Sequence, residues 1–179
     1  MLIQCSIFLF YNSITRVIIF EGGITVQILM ITSEAVPFAK TGGLADVVSA
    51  LSYALKKLGH EVRIVMPRYY KIDRRHLMPI PGALGVRIGL QEYWTEVFES
   101  ILPNSDIPVY FIDHEDSFGR DGLYGSGFEP DYHDNPKRFS ILCHAAFQLC
   151  RKQHWMPDIM HAHDWPTALV PVLLKFSEQ

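Results

Sequence analysis

The stretch Lys40-Thr41-Gly42-Gly43-Leu44-Ala45-Asp46 lies where a strand gives way to a helix, and that limits the folds open to this chain. Upstream, residues 26–32 form a largely apolar run of strand length. Downstream, Leu44, Val47, Val48, Leu51, Leu55 and Leu58 recur at the spacing of one helical face, which predicts a helix over 44–58. Glycine at such a junction tolerates positive φ and lets a ligand approach the backbone. The first turn of a helix also carries unpaired N–H groups and the positive end of the dipole. With Lys40 alongside, the junction suits an anion such as the pyrophosphate of a nucleotide sugar. The alternative is an ordinary strand-to-helix turn that uses glycine only for its geometry.

Two familiar phosphate motifs are excluded. A Walker A loop places Lys-Thr after its glycines, whereas here Lys40-Thr41 comes before them. A dinucleotide fingerprint needs G-x-G-x-x-G and an acidic residue after the next strand. That strand, predicted over 61–66, runs into Pro67-Arg68, so an oxidoreductase of this type is argued against. Strand, crossover helix and strand make a βαβ unit, whose ligands bind beyond the carboxyl ends of the strands. Residues 33–43 fall at that edge.

Further on, 85–90 and 93–101 read as a strand pair added to a parallel sheet, Pro103 to Asp106 as a turn, and 108–112 as a buried strand. Asn135-Pro136 opens a helix over 135–153 with proline at its first position. Its buried stripe is Phe139, Leu142, Cys143, Ala146, Leu149 and Cys150. A brief strand over 159–161 precedes Asp164, a plausible cap for a last helix with Ala168, Leu169, Val172, Leu173 and Phe176 inward. At 179 residues the chain holds one core of good size, and a net charge of −3 offers nothing to nucleic acid or an anionic membrane. Cys5, Cys143 and Cys150 make no disulfide framework and read as small core residues in a reducing, cytoplasmic setting. Residues 1–25 are apolar but broken by Gln4, Asn12, Ser13 and Arg16. They fit neither a signal peptide nor a membrane span, and are expected to be a loosely placed extension without chemistry.

Three ordered blocks resemble the bacterial glycogen synthase and plant starch synthase family. They are Ile31-Thr32-Ser33-Glu34 followed by Lys40 to Val47, then Tyr132-His133-Asp134 with Arg138-Phe139, then Pro157 to Trp165 with its His161-Ala162-His163-Asp164 core. The resemblance implies an α/β fold: a Rossmann-like parallel sheet with flanking helices and an added strand pair, the amino-terminal half of a two-domain GT-B glycosyltransferase. It spans residues 26–179. It also implies that a glucosyl unit moves from ADP-glucose to the non-reducing end of an α-1,4-glucan with retention, and that no cofactor is used.

Carried over by position, Glu34 and Asp164 would be catalytic and line the reacting sugar and acceptor. Lys40, Thr41, Gly42 and Gly43 would hold donor phosphate, and Tyr132 would touch sugar. His163 and Asp46 would orient or brace. The glycine-rich, aromatic-rich run from Asp113 to Asp134 would form part of a glucan cleft, the alternative being a self-packed surface loop. His161 and His163 would point the same way from a strand, but no further ligands at suitable spacing follow, so a metal site is not expected. In the family, the nucleotide contacts come largely from a second α/β domain that this sequence does not contain. The resemblance therefore implies an acceptor-side piece with little transferase activity on its own, or else a non-catalytic glucan-binding module.

Overall fold

The computed structural model describes residues 6–10, as backbone, and 25–176. In chain order the strands and helices are β1 (Ser6–Phe10), β2 (Gln27–Ile31), α1 (Leu44–Lys57), β3 (Glu61–Pro67), β4 (Met78–Ile88), β5 (Gln91–Ile101), β6 (Pro108–Asp113), α2 (Glu115–Phe118), α3 (Asn135–Lys152), β7 (Ile159–His163) and α4 (Leu169–Phe176). They build one seven-stranded sheet in the order β1-β7-β2-β3-β6-β5-β4. β7, β2, β3 and β6 run parallel, and β5 and β4 add an antiparallel pair beyond β6.

The parallel strands are buried on both faces, which is why they read as continuous apolar runs rather than alternating ones. Ile28, Met30, Ile64, Met66, Val109 and Phe111 anchor this core. Every predicted stripe residue of α3 is buried. α1 behaves differently: its buried face is Leu44, Ala45, Val48, Ser49 and Ser52, while Val47 and Leu58 of the predicted stripe are 42% and 72% exposed. Leu51 and Leu55 are half-buried and line an apolar groove with Ile28, Ile159 and His161.

Two other expectations are corrected. β4 begins at Met78 rather than at 85, because Pro79 and Pro81 lie on the sheet's edge, with a register shift between Ile80 and Leu84. Edge strands tolerate proline where central ones do not. In the chain after β7, Asp164 caps a short 3-10 turn over Trp165–Thr167 rather than a helix, and α4 turns Val170 and Leu173 inward while Val172 and Phe176 are largely exposed. Within the extension at 1–25, expected to be loosely placed, Ser6–Phe10 pairs antiparallel with β7; residues 1–5 and 11–24 lie outside the described residues.

The topology sets the functional edge. The carboxyl ends of β2, β3, β6 and β7 release Glu34, Arg68, Asp113 and Asp164 toward the same rim of the sheet.

Candidate functional site

Leaving β2, the chain turns tightly: Thr32 Oγ1 accepts the Glu34 N–H at 3.1 Å and donates to the Glu34 carbonyl at 2.8 Å. This aims Glu34 inward, where it is 2% exposed. Its Oε1 accepts the Thr41 hydroxyl at 2.8 Å and the Tyr124 hydroxyl at 2.6 Å. Its Oε2 accepts the Thr41 N–H at 2.5 Å and, more weakly, the Gly42 N–H at 3.4 Å. A carboxylate offers about four lone-pair sites, so Glu34 is saturated. In this structure its carboxylate ties the glycine loop down from beneath. Thr41 is likewise turned toward Glu34.

Gly42 and Gly43 settle what the glycines do. Neither has positive φ; Gly43 caps α1 at φ −74°, ψ −16°, a conformation open to any residue. A Cβ on either would meet nothing within 4 Å. The turn does not need glycine, and no packing neighbour excludes a side chain. What glycine preserves is bare backbone facing open space at the amino end of α1, where no side chain caps the first-turn amides. Lys40 stands beside it, pairing with Asp46 at 2.7 Å while both side chains remain more than half exposed. Such a surface pair is worth roughly 0–1 kcal/mol, so Lys40 is readily drawn to a stronger anion.

At the far strand, Asp164 is exposed and adopts φ 62°, ψ −177°. A side-chain-bearing residue is seldom found there, and holding it costs on the order of 1–3 kcal/mol. The carboxylate accepts the Trp165 N–H at 2.6 Å, and the Asp164 carbonyl accepts the Thr167 N–H at 3.1 Å. Trp165, half exposed, packs edge-on against Phe139 at 5.2 Å and lies 5.6 Å from the Tyr124 ring. Half exposed and next to Asp164 in the chain, it adds aromatic surface of a kind suited to sugar C–H groups.

The segment between α2 and α3 is rigidly built. Arg138, fully buried, donates to the Ser117 and Leu123 carbonyls and to Asn135 Oδ1. Gly122 and Gly125 are required here: a Cβ would fall 1.5 Å and 2.0 Å from the Gly125 and Pro130 carbonyl oxygens. Tyr132 is 9% exposed, with the Arg120 and Arg138 guanidiniums 4.8 and 4.9 Å from its ring centre. It packs this segment, and the phenol that reaches Glu34 is Tyr124. Burial, then the bond to Glu34, pushes the Tyr124 pKa well up, with Asp164 contributing from nearby. Tyr124, read only as one aromatic of the 113–134 run, and Trp165, read only as the end of the third block, are thus brought to the site without having been assigned a role there; glycines on either side of Tyr124 were the available signal.

His161 and His163 do point the same way, their rings stacked at 4.1 Å. Burial, with a smaller contribution from His161, depresses His163 to a pKa of about 3, leaving a neutral ring that is 1% exposed. Among the described residues, no group of three or more His, Cys, Asp or Glu could hold a metal ion. No helix among them is long and apolar enough to cross a membrane.

Comparison with known proteins places this geometry. The starch synthase catalytic domain family matches residues 27–179. The chain belongs to that family. Within it, the glycogen synthase of Treponema denticola is 65% identical over 153 residues, covering 86% of this chain and 31% of the relative. Glycogen synthase 1 of Geobacter metallireducens is 48% identical over 152 residues, covering 83% and 30%. Among solved structures, the catalytic domain of starch synthase IV from Arabidopsis thaliana, bound to ADP and acarbose, superposes with a TM-score of 0.73 at 30% identity, covering 86% of this chain and 31% of that one. This starch synthase-type chain therefore has the fold of the amino-terminal portion of a GT-B glycosyltransferase and spans about 31% of the length of such relatives.

Proposed function

We propose that this chain supplies an amino-terminal, acceptor-side part of a retaining glucosyltransferase that moves glucose from ADP-glucose to the non-reducing end of an α-1,4-glucan. The observation that carries the reading is the bare Gly42 and Gly43 backbone at the amino end of α1, glycine kept where neither φ nor packing requires it. A diphosphate there would take the first-turn amides and the Lys40 ammonium, which stabilise charge as the leaving group departs. Asp164, held in a strained conformation on the same rim, faces the acceptor with Trp165 as a stacking surface. Positioning and charge stabilisation are what such a transfer needs, and the reading calls for no metal or cofactor. The partners are a nucleotide-sugar donor, a glucan acceptor and a second α/β domain, in the cytoplasm.

The test offers radiolabelled ADP-glucose and glycogen to the protein with and without the whole remaining portion of the Treponema relative, the part beyond the 31% that this chain matches. Incorporation only on complementation is the expected outcome. Glycogen binding with no incorporation in either arm would instead make the chain a glucan-binding module.

A further inference from the structure

Glu34 cannot set the glycine loop by itself. Its carboxylate grips the Thr41 amide, the Thr41 hydroxyl and the Gly42 amide, but a buried glutamate with only these partners could still rotate about its terminal torsion. The fourth partner comes from 90 residues away: the Tyr124 hydroxyl donates to Oε1 at 2.6 Å. Because that proton is committed to Glu34, the 2.7 Å contact with Ser33 has Ser33 donating, giving a relay from Ser33 to Tyr124 to Glu34. Tyr124 is itself fixed from three sides. Its carbonyl accepts the Tyr132 N–H and the Asn135 amide, both at 2.8 Å, and its ring packs against Phe139 and Trp165. The preceding carbonyl, that of Leu123, is held by Arg138.

We propose that Tyr124 is a positioning residue, acting through Glu34 to hold the Thr41–Gly42 backbone in register with α1. The role rests on reading this rim as the sugar-phosphate site. It makes the glycine loop and the segment before α3 one mechanical unit: the acceptor side, where Trp165 lies against the Tyr124 ring, and the phosphate side, where Glu34 holds the loop, share one phenol. Hydrogen bonds to a charged acceptor are about twice as strong as neutral ones, so losing this one should loosen the loop without unfolding the protein.

The test is amide hydrogen exchange on the isotopically labelled chain with Tyr124→Phe, which keeps the ring and removes the donor. Exchange at Thr41 and Gly42 should rise roughly tenfold or more, as loss of a single hydrogen bond to a charged group requires. The Thr41 amide proton should move upfield, while exchange at Tyr132 and Asn135, bonded through main-chain atoms of the same segment, stays within about twofold of wild type. Unchanged exchange at Thr41 and Gly42, or a rise at Tyr132 and Asn135 instead, would overturn the role and leave Tyr124 as packing alone. ADP added to the wild-type protein reads the sugar-phosphate assignment separately: no response at Gly42 and Gly43 counts against that assignment, whatever Tyr124→Phe does.

Discussion

Lys40 and Asp46 face each other at 2.7 Å across the mouth of the glycine loop, both more than half exposed. The pair holds the ammonium beside the helix terminus but also occupies it. Asp46→Asn should release Lys40 and tighten ADP binding about two- to fivefold, while Lys40→Ala weakens it by roughly tenfold; both effects should shrink at high salt. Calorimetric titration at two ionic strengths measures them. Equal affinities in all three proteins would mean that Lys40 does not meet the anion.

Gly43 separates geometry from access. Alanine fits its right-handed backbone and meets no neighbour, so Gly43→Ala should leave the melting temperature unchanged or raise stability by up to about 1 kcal/mol. The same methyl would project into the space a diphosphate needs, and ADP affinity should fall by roughly tenfold or more. A thermal melt and a titration on one sample check both halves.

Asp164 should show function opposed to stability. Its φ of 62° with extended ψ is a glycine conformation, and glycine at a cap costs only a few tenths of a kcal/mol relative to aspartate. Asp164→Gly is expected to stabilise the chain by about 1 kcal/mol in urea unfolding while abolishing incorporation in the complemented assay.

Arg138 carries the segment before α3. Replacing it with Met keeps the apolar stem but orphans the Ser117 and Leu123 carbonyls and Asn135 Oδ1. Stability should drop by about 2–4 kcal/mol, read as a lower urea midpoint at constant slope.

The stacked histidines set an acid limit. His163 is depressed by burial to about 3, with the neighbouring His161 also lowering it, against 6.5 for a free histidine. Between those values the unfolded chain binds a proton that the folded chain refuses. Stability is therefore complete above pH 6.5 and falls with pH toward 3, by about 1.4 kcal/mol for each pH unit well inside the window. His161 and His114, also lowered by burial, act in the same direction. Urea midpoints at pH 7, 6 and 5 should decline, and His163→Gln should flatten that decline. Carboxylates such as Asp134, lowered by Arg120, add their loss only near and below pH 4.

Much of this architecture was legible because periodicity and glycine placement are local signals. The strand before the loop, α1 and α3 were each readable within one window of sequence, as was the shared orientation of His161 and His163. What escaped was non-local or conformational. Pro79 and Pro81 hid the first half of β4, since only its edge position makes them tolerable. The positive φ of Asp164 leaves no trace in residue type. Glu34 was recognised as a site residue but not as the loop's clamp, because its partner Tyr124 lies 90 positions away. Tyr132 drew attention by its motif, but the two guanidiniums near its ring come from Arg120 and Arg138, neither of which is adjacent to it in sequence.

The most direct test of the account is an ADP titration of the isotopically labelled chain followed by backbone amide NMR. The account predicts saturable shifts concentrated at Gly42, Gly43, Leu44 and Ala45, weakened in Lys40→Ala. Shifts confined to other parts of the chain, or none at the amino end of α1 at millimolar ADP, would contradict it.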